Sequence, residues 1–67
     1  MTDKLTDLAE LELPYRRKAR LKIAEFDGGM KMVRLVLREG TRITQVDLDE
    51  DTAKRLGGLL IDAAGRI

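Results

Sequence analysis

Several chemically useful residue types are missing from this chain of 67 residues. Cysteine, histidine, tryptophan, serine and asparagine are all absent. Without a thiol, an imidazole or a serine hydroxyl, the common nucleophile and base pairs of enzymes cannot be assembled. Carboxylates could still do acid-base chemistry, but a domain with one small core rarely builds the concave site that this requires. The sequence therefore predicts a protein that is not an enzyme and that has no cofactor.

The same absences limit how so short a chain can be stabilised. A domain of about 60 residues buries only about 60% of the surface that its unfolded form exposes. Small domains usually add disulfides, a metal or a partner subunit. The lack of cysteine excludes disulfides, and histidine, the commonest neutral metal ligand, is missing as well. Self-association is the remaining route, and we expect a homodimer.

Long apolar runs are also missing. No run is longer than the one at residues 59–61, whereas a membrane-spanning helix needs about 20 apolar residues. Residues 1–4 do not lead into the apolar core of a signal peptide. We expect a soluble protein of the cytoplasm.

Charge is distributed unevenly along the chain, although the net charge is only +1. Residues 16–42 contain nine basic side chains against Glu25, Asp27 and Glu39, which is a local charge of +6. The flanking segments compensate, at −3 for residues 1–15 and −2 for residues 43–67. Because partners feel local fields within a Debye length of about 10 Å, the middle segment is the candidate for binding a polyanion.

Two runs in this middle segment alternate between apolar and basic residues, which is the periodicity of half-buried strands. A three-residue loop at 27–29 with a glycine bulge pairs them so that their odd-numbered residues share one face. Gly40-Thr41 suits a type II′ turn into a third strand at 42–48. The predicted cross-strand pairs are Ile23–Val33, Leu21–Leu35 and Ala19–Leu37, then Leu37–Thr44, Leu35–Val46 and Val33–Leu48.

The last part of the chain has the pattern of a helix over residues 49–64. Asp49 is a good N-cap, and the acids that follow it favour the first helical turn. Gly57 and Gly58 lie inside this helix at a cost of about 1 kcal/mol each relative to alanine. Either close packing on the sheet or helix contact across a dimer explains them, with packing favoured. The residues assigned to this packing or dimer contact are Ala53, Gly57, Leu60, Ile61 and Ala64.

The N-terminal segment is ambiguous, because Leu5, Leu8 and Leu11 would suit a short helix, whereas the odd-numbered residues from Leu11 to Tyr15 continue the inward parity of the first strand. We expect a loose segment over residues 1–10, followed by an edge strand or an extended lead-in, since Pro14 is tolerated at an edge but not in a central strand. The predicted fold is therefore α+β: one domain over residues 1–67, with a three- or four-stranded antiparallel β-meander and one C-terminal α-helix packed on one face.

The predicted register places like charges opposite each other on the outer face, Lys22 against Arg34 and Lys18 against Arg38, which is destabilising. Asp47 lies across from Arg34 and offsets its repulsion with Lys22, whereas Lys18, Arg20 and Arg38 have no acidic neighbour in this register. One interpretation is that these long basic side chains keep the outer face solvated and discourage pairing of the sheet edge with another strand. The other is a surface for nucleic acid. Its predicted contact residues are Lys18, Arg20, Lys22, Arg34 and Arg38.

The outer face also carries apolar side chains, which a monomer would not leave in water without use. They could form a dimer seam, lie under the N-terminal leucines, or contact splayed bases. These outer apolar residues are Ala24, Phe26, Met30, Met32, Val36 and Ile43.

Asp47, Asp49 and Asp51 have the spacing that opens a calcium-binding EF-hand loop. The sixth position of such a loop should be glycine and the twelfth glutamate, but the chain has Thr52 and Gly58 there. We predict no metal site.

A resemblance to a known family lies in two stretches, RLKIAEFDGGMKMVRLVLREG and ITQVDLDEDTAKRLGGLL. They are similar, over residues 20–62, to the core of the positive-cofactor-four family of single-stranded-DNA-binding transcriptional coactivators. The resemblance implies a dimer formed through the helix and single strands bound along basic, aromatic-bearing strands. It would assign strand contacts to Arg20, Lys22, Arg34 and Arg38. The chain departs from the family in lacking tryptophan and in having only Gly40-Thr41 before the third strand.

The leading functional hypothesis is a small non-enzymatic protein that binds single-stranded DNA or RNA through phosphate contacts, with little sequence specificity. The alternative is a homodimeric protein–protein interaction or scaffold module. Salt dependence distinguishes them, because phosphate contacts release counterions.

Overall fold

The computed structural model describes residues 2–67, with side chains from Lys4 onward. Four strands form one antiparallel sheet in the order β1-β2-β3-β4, and one helix follows. This confirms the predicted α+β meander with a C-terminal helix. The elements are β1 (Thr2–Leu13), β2 (Arg17–Phe26), a 3-10 turn (Asp27–Gly29), β3 (Lys31–Glu39), β4 (Arg42–Leu48) and α1 (Glu50–Ala64).

The predicted register of β2, β3 and β4 is confirmed at every pair, from Ile23–Val33 to Leu37–Thr44. Gly28 and Gly29 both have a φ of 84°, which explains why glycine occupies the β2–β3 turn. Gly40 has a φ of 60°, and Thr41 is not among the residues with positive φ. A positive φ at the first loop position alone is the pattern of the predicted type II′ turn.

The N-terminal segment differs from its prediction as a loose stretch. Residues 2–10 belong to β1, which pairs with β2 as far as Leu13–Arg17, while Met1 lies outside the described residues. Two register shifts, at Thr2/Lys4 and Asp7/Ala9, break the period of two that identifies a strand in a sequence. The shifts therefore hid residues 2–10 from periodicity, whereas the edge strand predicted after them is confirmed at the end of β1.

Helix α1 begins as predicted. The Asp49 carboxylate accepts a hydrogen bond of 2.7 Å from the Thr52 backbone N–H, which satisfies one of the orphan donors of the first turn. The principal contact of α1 with the sheet is with β3, and its first turns lie beside Ile23 and Val33. No residue of α1 is buried. Among the described residues, no helix is long and apolar enough to cross a membrane.

The apolar face of the sheet is only partly covered. We call it the inner face, and it consists of Ala19, Leu21, Ile23, Val33, Leu35, Leu37, Thr44, Val46 and Leu48. None of these nine residues is buried, and in the described part of the chain Ala24, on the opposite face, is the one buried apolar residue. The sheet and helix thus expose the surfaces that a small domain normally uses as its core.

Candidate functional site

The outer face is the side of the sheet opposite the inner face. It brings together all five cations that the sequence assigned to nucleic-acid binding, because Lys22 pairs with Arg34 and Lys18 with Arg38, while Arg20 lies between them in β2. The predicted like-charge pairs are therefore present. Whether these cations are available to a ligand depends on the acidic side chains that reach them from β1 and β4.

Strand β1 supplies acids that the prediction lacked. Glu10 lies 3.8 Å from the Lys18 ammonium and 3.7 Å from the Arg20 guanidinium. Asp7 lies 3.5 Å from the ammonium of Lys22. The expectation that Lys18 and Arg20 have no acidic neighbour is wrong, because it considered only three strands. Both cations remain about half exposed, and ion pairs of this kind contribute little to stability.

Arg34 and Asp47 form the strongest ion pair of the outer face. The Arg34 Nε donates to Asp47 Oδ1 at 2.8 Å, and a terminal guanidinium nitrogen donates to Oδ2 at 3.1 Å. This is the bidentate geometry that arginine favours. The two hydrogen bonds lower the pKa of the Asp47 carboxyl and raise the pKa of Arg34. The predicted pair is confirmed, and it makes Arg34 a structural anchor.

The Arg34 guanidinium also lies 6.0 Å from the centre of the Phe26 ring, at the limit of a cation–π contact. Only 11% of the Arg34 side chain is exposed. A phosphate approaching it would have to displace both the carboxylate and the ring. Of the five predicted contact residues, Arg34 is the least accessible to a ligand among those with a measured exposure.

Arg38 differs from the other four cations. In the described part of the chain no carboxylate lies within ion-pair distance of it, and its Nε donates a weak hydrogen bond of 3.4 Å to the Gly40 carbonyl. Together with Lys18 and Arg20 it surrounds a small cavity of about 110 Å³ floored by Val36 and Ile43. We call Lys18, Arg20 and Arg38 the cation patch.

The five residues assigned to packing or dimer contact lie on α1. Ala53 and Gly57 are half-buried, whereas Leu60, Ile61 and Ala64 are exposed. A Cβ added at Gly57 or at Gly58 would meet nothing within 4 Å. Close packing of the helix on its own sheet, the favoured explanation of these glycines, is therefore wrong, because α1 approaches the sheet without close contact at their positions.

Two of the three aspartates with calcium-like spacing have other partners. Asp47 holds Arg34, and Asp49 caps α1, where the Thr52 hydrogen bonds lower the pKa of its carboxyl. Among the described residues, no cluster of three or more potential ligands could hold a metal ion. The arrangement supports an electrostatic role for these acids at the end of β4 and the start of α1.

One unusual feature had no signal in the sequence. Tyr15 and Arg16, in the turn between β1 and β2, have φ values of 63° and 62°. This left-handed region is rarely occupied by residues other than glycine, asparagine and aspartate. Tyr15 is 87% exposed, and the Arg17 guanidinium lies 6.0 Å from the centre of its ring. A pattern search cannot find such a turn, because neither residue favours it.

Comparisons with known proteins place the chain without assigning it a function. No curated protein matches it. No solved structure matches it either. A family model does match, over residues 2–66, and therefore includes all four strands and the helix. The chain belongs to DUF6967, a family of unknown function.

Proposed function

We propose that this chain is a non-enzymatic protein–protein interaction module whose working unit is a homodimer. The observation that carries the proposal is its exposed area of 5751 Å². A compact monomer of 7.6 kDa exposes about 4,300 Å², so the excess is roughly 1,450 Å². A stable interface buries about 800 Å² on each partner. The excess is large enough for one.

The dimensions of the chain support the same conclusion. Its radius of gyration is 13.3 Å, whereas a compact domain of this length has a radius of about 11 Å. Apolar side chains contribute to the exposed surface: Leu21 and Val46 of the inner face are exposed, and so are Leu59, Leu60 and Ile61 of α1. Contiguous exposed apolar surface of this kind marks an interaction site.

A second copy fits this surface better than an occasional partner. With Ala24 as the one buried apolar residue that the structure describes, a lone chain has little hydrophobic driving force for folding. The stabilising partner must therefore be present whenever the chain is made, and an identical copy meets that condition. The glycines of α1 support this, since Gly57 leaves space that nothing in its own chain fills.

We place this dimer in the cytoplasm. A chain without cysteine gains nothing from an oxidising compartment, and subunit association replaces the disulfides that small secreted domains use.

The test is the coupling of folding to association. Light scattering should give twice the mass of one chain at micromolar concentration, and the thermal midpoint should rise with protein concentration, because association stabilises the folded state by mass action. A monomer with a cooperative, concentration-independent midpoint would contradict the proposal.

Nucleic-acid binding is the second candidate, and the cation patch favours it. Lys18 and Arg20 share one acid, Glu10, at distances near 4 Å, and Arg38 has no carboxylate partner within the described residues. The patch therefore keeps a net positive charge that a phosphate could neutralise. In this second candidate, single-stranded DNA or RNA lies across the patch with little sequence specificity.

Fluorescence anisotropy with a labelled single-stranded oligonucleotide tests this candidate. Each phosphate contact contributes about −0.7 to the slope of log affinity against log salt, so three cations predict a slope of about −2. The variant Lys18→Glu/Arg38→Glu should lose binding. Lys54→Glu, an exposed charge reversal on α1, should bind as the wild type does. No binding by the wild type at low salt would eliminate the candidate.

A further inference from the structure

The two edges of the sheet are protected to different degrees. Edge strand β1 contains two register shifts and carries Lys4, Asp7, Glu10 and Glu12. Bulges and charges are the devices by which proteins prevent an exposed edge from pairing with another strand. β1 is therefore a blocked edge.

Edge strand β4 has no bulge and fewer charges. Its register with β3 runs without a shift from Glu39–Arg42 to Val33–Leu48, and it contains no proline. Its charged residues are Arg42 and Asp47, and Asp47 is neutralised by Arg34. Ile43 is 62% exposed and Val46 42%. A regular, nearly neutral and partly apolar edge is a template for a further strand.

We propose that β4 of one copy pairs antiparallel with β4 of a second copy, around a twofold axis at Gln45, to form a continuous eight-stranded sheet. This inference rests on the proposed homodimer and identifies its seam. Antiparallel pairing of identical strands is self-complementary, as a twofold interface requires. The unpaired backbone groups of both β4 edges are satisfied in one step.

The register around Gln45 brings no like charges together. Gln45 lies opposite its own symmetry mate, Ile43 opposite the partner's Asp47, and Thr44 opposite the partner's Val46. Arg42 lies opposite the partner's Leu48. Odd- and even-numbered residues of the two strands keep to separate faces, so the two inner faces become one apolar surface across the seam.

Charge complementarity at the ends of β4 supports this arrangement. Within the described chain, no carboxylate pairs with Arg42. In the dimer it lies beside the residues that follow the partner's Leu48, where α1 begins with Glu50 and Asp51. Glu50 already has Lys54 at 2.8 Å, which leaves Asp51 as the available anion. A cation beside an acidic helix start is a favourable interface contact.

The pairing also places the exposed helices where the proposed function needs them. Each α1 starts directly after β4, and therefore at the seam. Its first turns lie next to Ile23 and Val33 of the inner face. Two copies joined at β4 bring two helices with exposed leucines to the joined inner faces, so that the seam and the apolar surface form one interface.

Cysteine cross-linking tests the seam, because the wild-type chain contains no cysteine. Directly opposed residues of antiparallel strands have Cα atoms about 4.5 to 5.5 Å apart, within the range that a disulfide spans. The variant Gln45→Cys should form a disulfide-linked dimer under mild oxidation, at least about tenfold faster than Glu12→Cys. Glu12 is an exposed residue of the blocked edge β1.

The variant Ile43→Asp provides a second measurement that does not depend on cysteine. Within one chain Ile43 lies opposite Arg38, so aspartate there should favour the fold. Across the seam it would face the partner's Asp47, at two symmetric contacts, and raise the dimer dissociation constant about two- to thirtyfold. Ile43→Lys should leave the dissociation constant unchanged or lower it.

The outcomes separate the seam from the homodimer itself. Rapid linkage of Gln45→Cys together with weakening by Ile43→Asp supports the β4 seam. A dimer by light scattering that links equally slowly at positions 45 and 12 overturns the seam and leaves the homodimer standing. A monomer by light scattering overturns both.

Discussion

The two faces of the sheet have opposite characters, and each behaves differently from what its composition suggests. The outer face carries five strand cations, but three acids lie within ion-pair distance of four of them. The inner face carries apolar residues of three strands, yet none of them is buried. Ala24, the one buried residue in the described part of the chain, lies on the charged face.

This difference is what points to the inner face as the surface of the proposed homodimer. Charges within one chain can satisfy each other across strands, because β1 and β4 provide carboxylates for β2 and β3. Apolar surface is removed from water only by packing against other apolar groups, and α1 covers too little of the inner face. In the proposed homodimer the inner face is therefore the surface that the partner covers, and four predictions test the contrast, from the largest expected effect to the smallest.

The largest effect is expected from a charge on the inner face. Leu35→Glu places a carboxylate in the surface that the proposed dimer covers, where an unpaired charge costs several kcal/mol. We expect loss of the dimer and at least about 3 kcal/mol of unfolding free energy, measured by light scattering and by urea unfolding. Val36→Glu is the matched control, because Val36 faces the cation patch. Equal effects of the two substitutions would show that the faces do not differ.

A medium effect is expected on α1. Gly58→Ala should stabilise the folded protein by about 1 kcal/mol, the difference in helix propensity, since its added Cβ meets nothing in the chain. Gly57→Ala has the same propensity gain but should weaken the dimer, because Gly57 is half-buried and its own chain leaves open the space that the proposed partner would fill. Sedimentation equilibrium measures the dimer constants. If both variants dimerise as the wild type does, the helix glycines are not part of the interface.

A smaller effect is expected from the Arg34–Asp47 pair on the outer face. The hydrogen bonds from Arg34 hold the folded-state pKa of Asp47 below its unfolded value. The pair therefore contributes its full stability above about pH 5, and the contribution is lost as the pH falls through the folded-state pKa, below about pH 4.

Asp47→Asn should lower the urea midpoint at pH 7 and flatten its decline between about pH 5 and pH 2. The control is Glu10→Gln, which removes an exposed acid of the same face. A midpoint that declines with the same slope in Asp47→Asn and in the wild type would contradict the role of this pair.

The smallest effect on stability is expected from Glu10→Gln itself. Exposed ion pairs contribute less than about 1 kcal/mol, and Glu10 is 44% exposed. The urea midpoint should hardly change. The cation patch, however, gains one net positive charge, and if the second candidate function holds, oligonucleotide affinity at low salt should rise. Unchanged affinity would show that the cation patch does not bind nucleic acid.

Most of the sheet could be predicted from local pattern. Ile23, Leu35 and their neighbours alternate with a period of two, and a shift of one residue would have moved every apolar side chain to the charged face. That penalty leaves one register for β2, β3 and β4. Asp49 was also predictable as a cap from local pattern, because an aspartate directly before a helical pattern can accept a hydrogen bond from the first-turn N–H groups.

The candidate site was less predictable. The pairing of Glu10 with Arg20 depends on a bulge at Asp7/Ala9, and a bulge removes the periodicity that would reveal the strand. The helix glycines were predicted to pack on the sheet because their cost demands some compensation. The structure shows open space at both, and in the proposed homodimer the compensation comes from the partner.

The sequence by itself determined the central three-stranded meander, its faces, and the start of the helix, because these depend on side-chain periodicity and on capping within a few residues. Only the tertiary structure decided which surface is available. Neutralisation of the cations by β1 and exposure of the inner face depend on contacts between residues far apart in the chain, and no local pattern encodes such contacts.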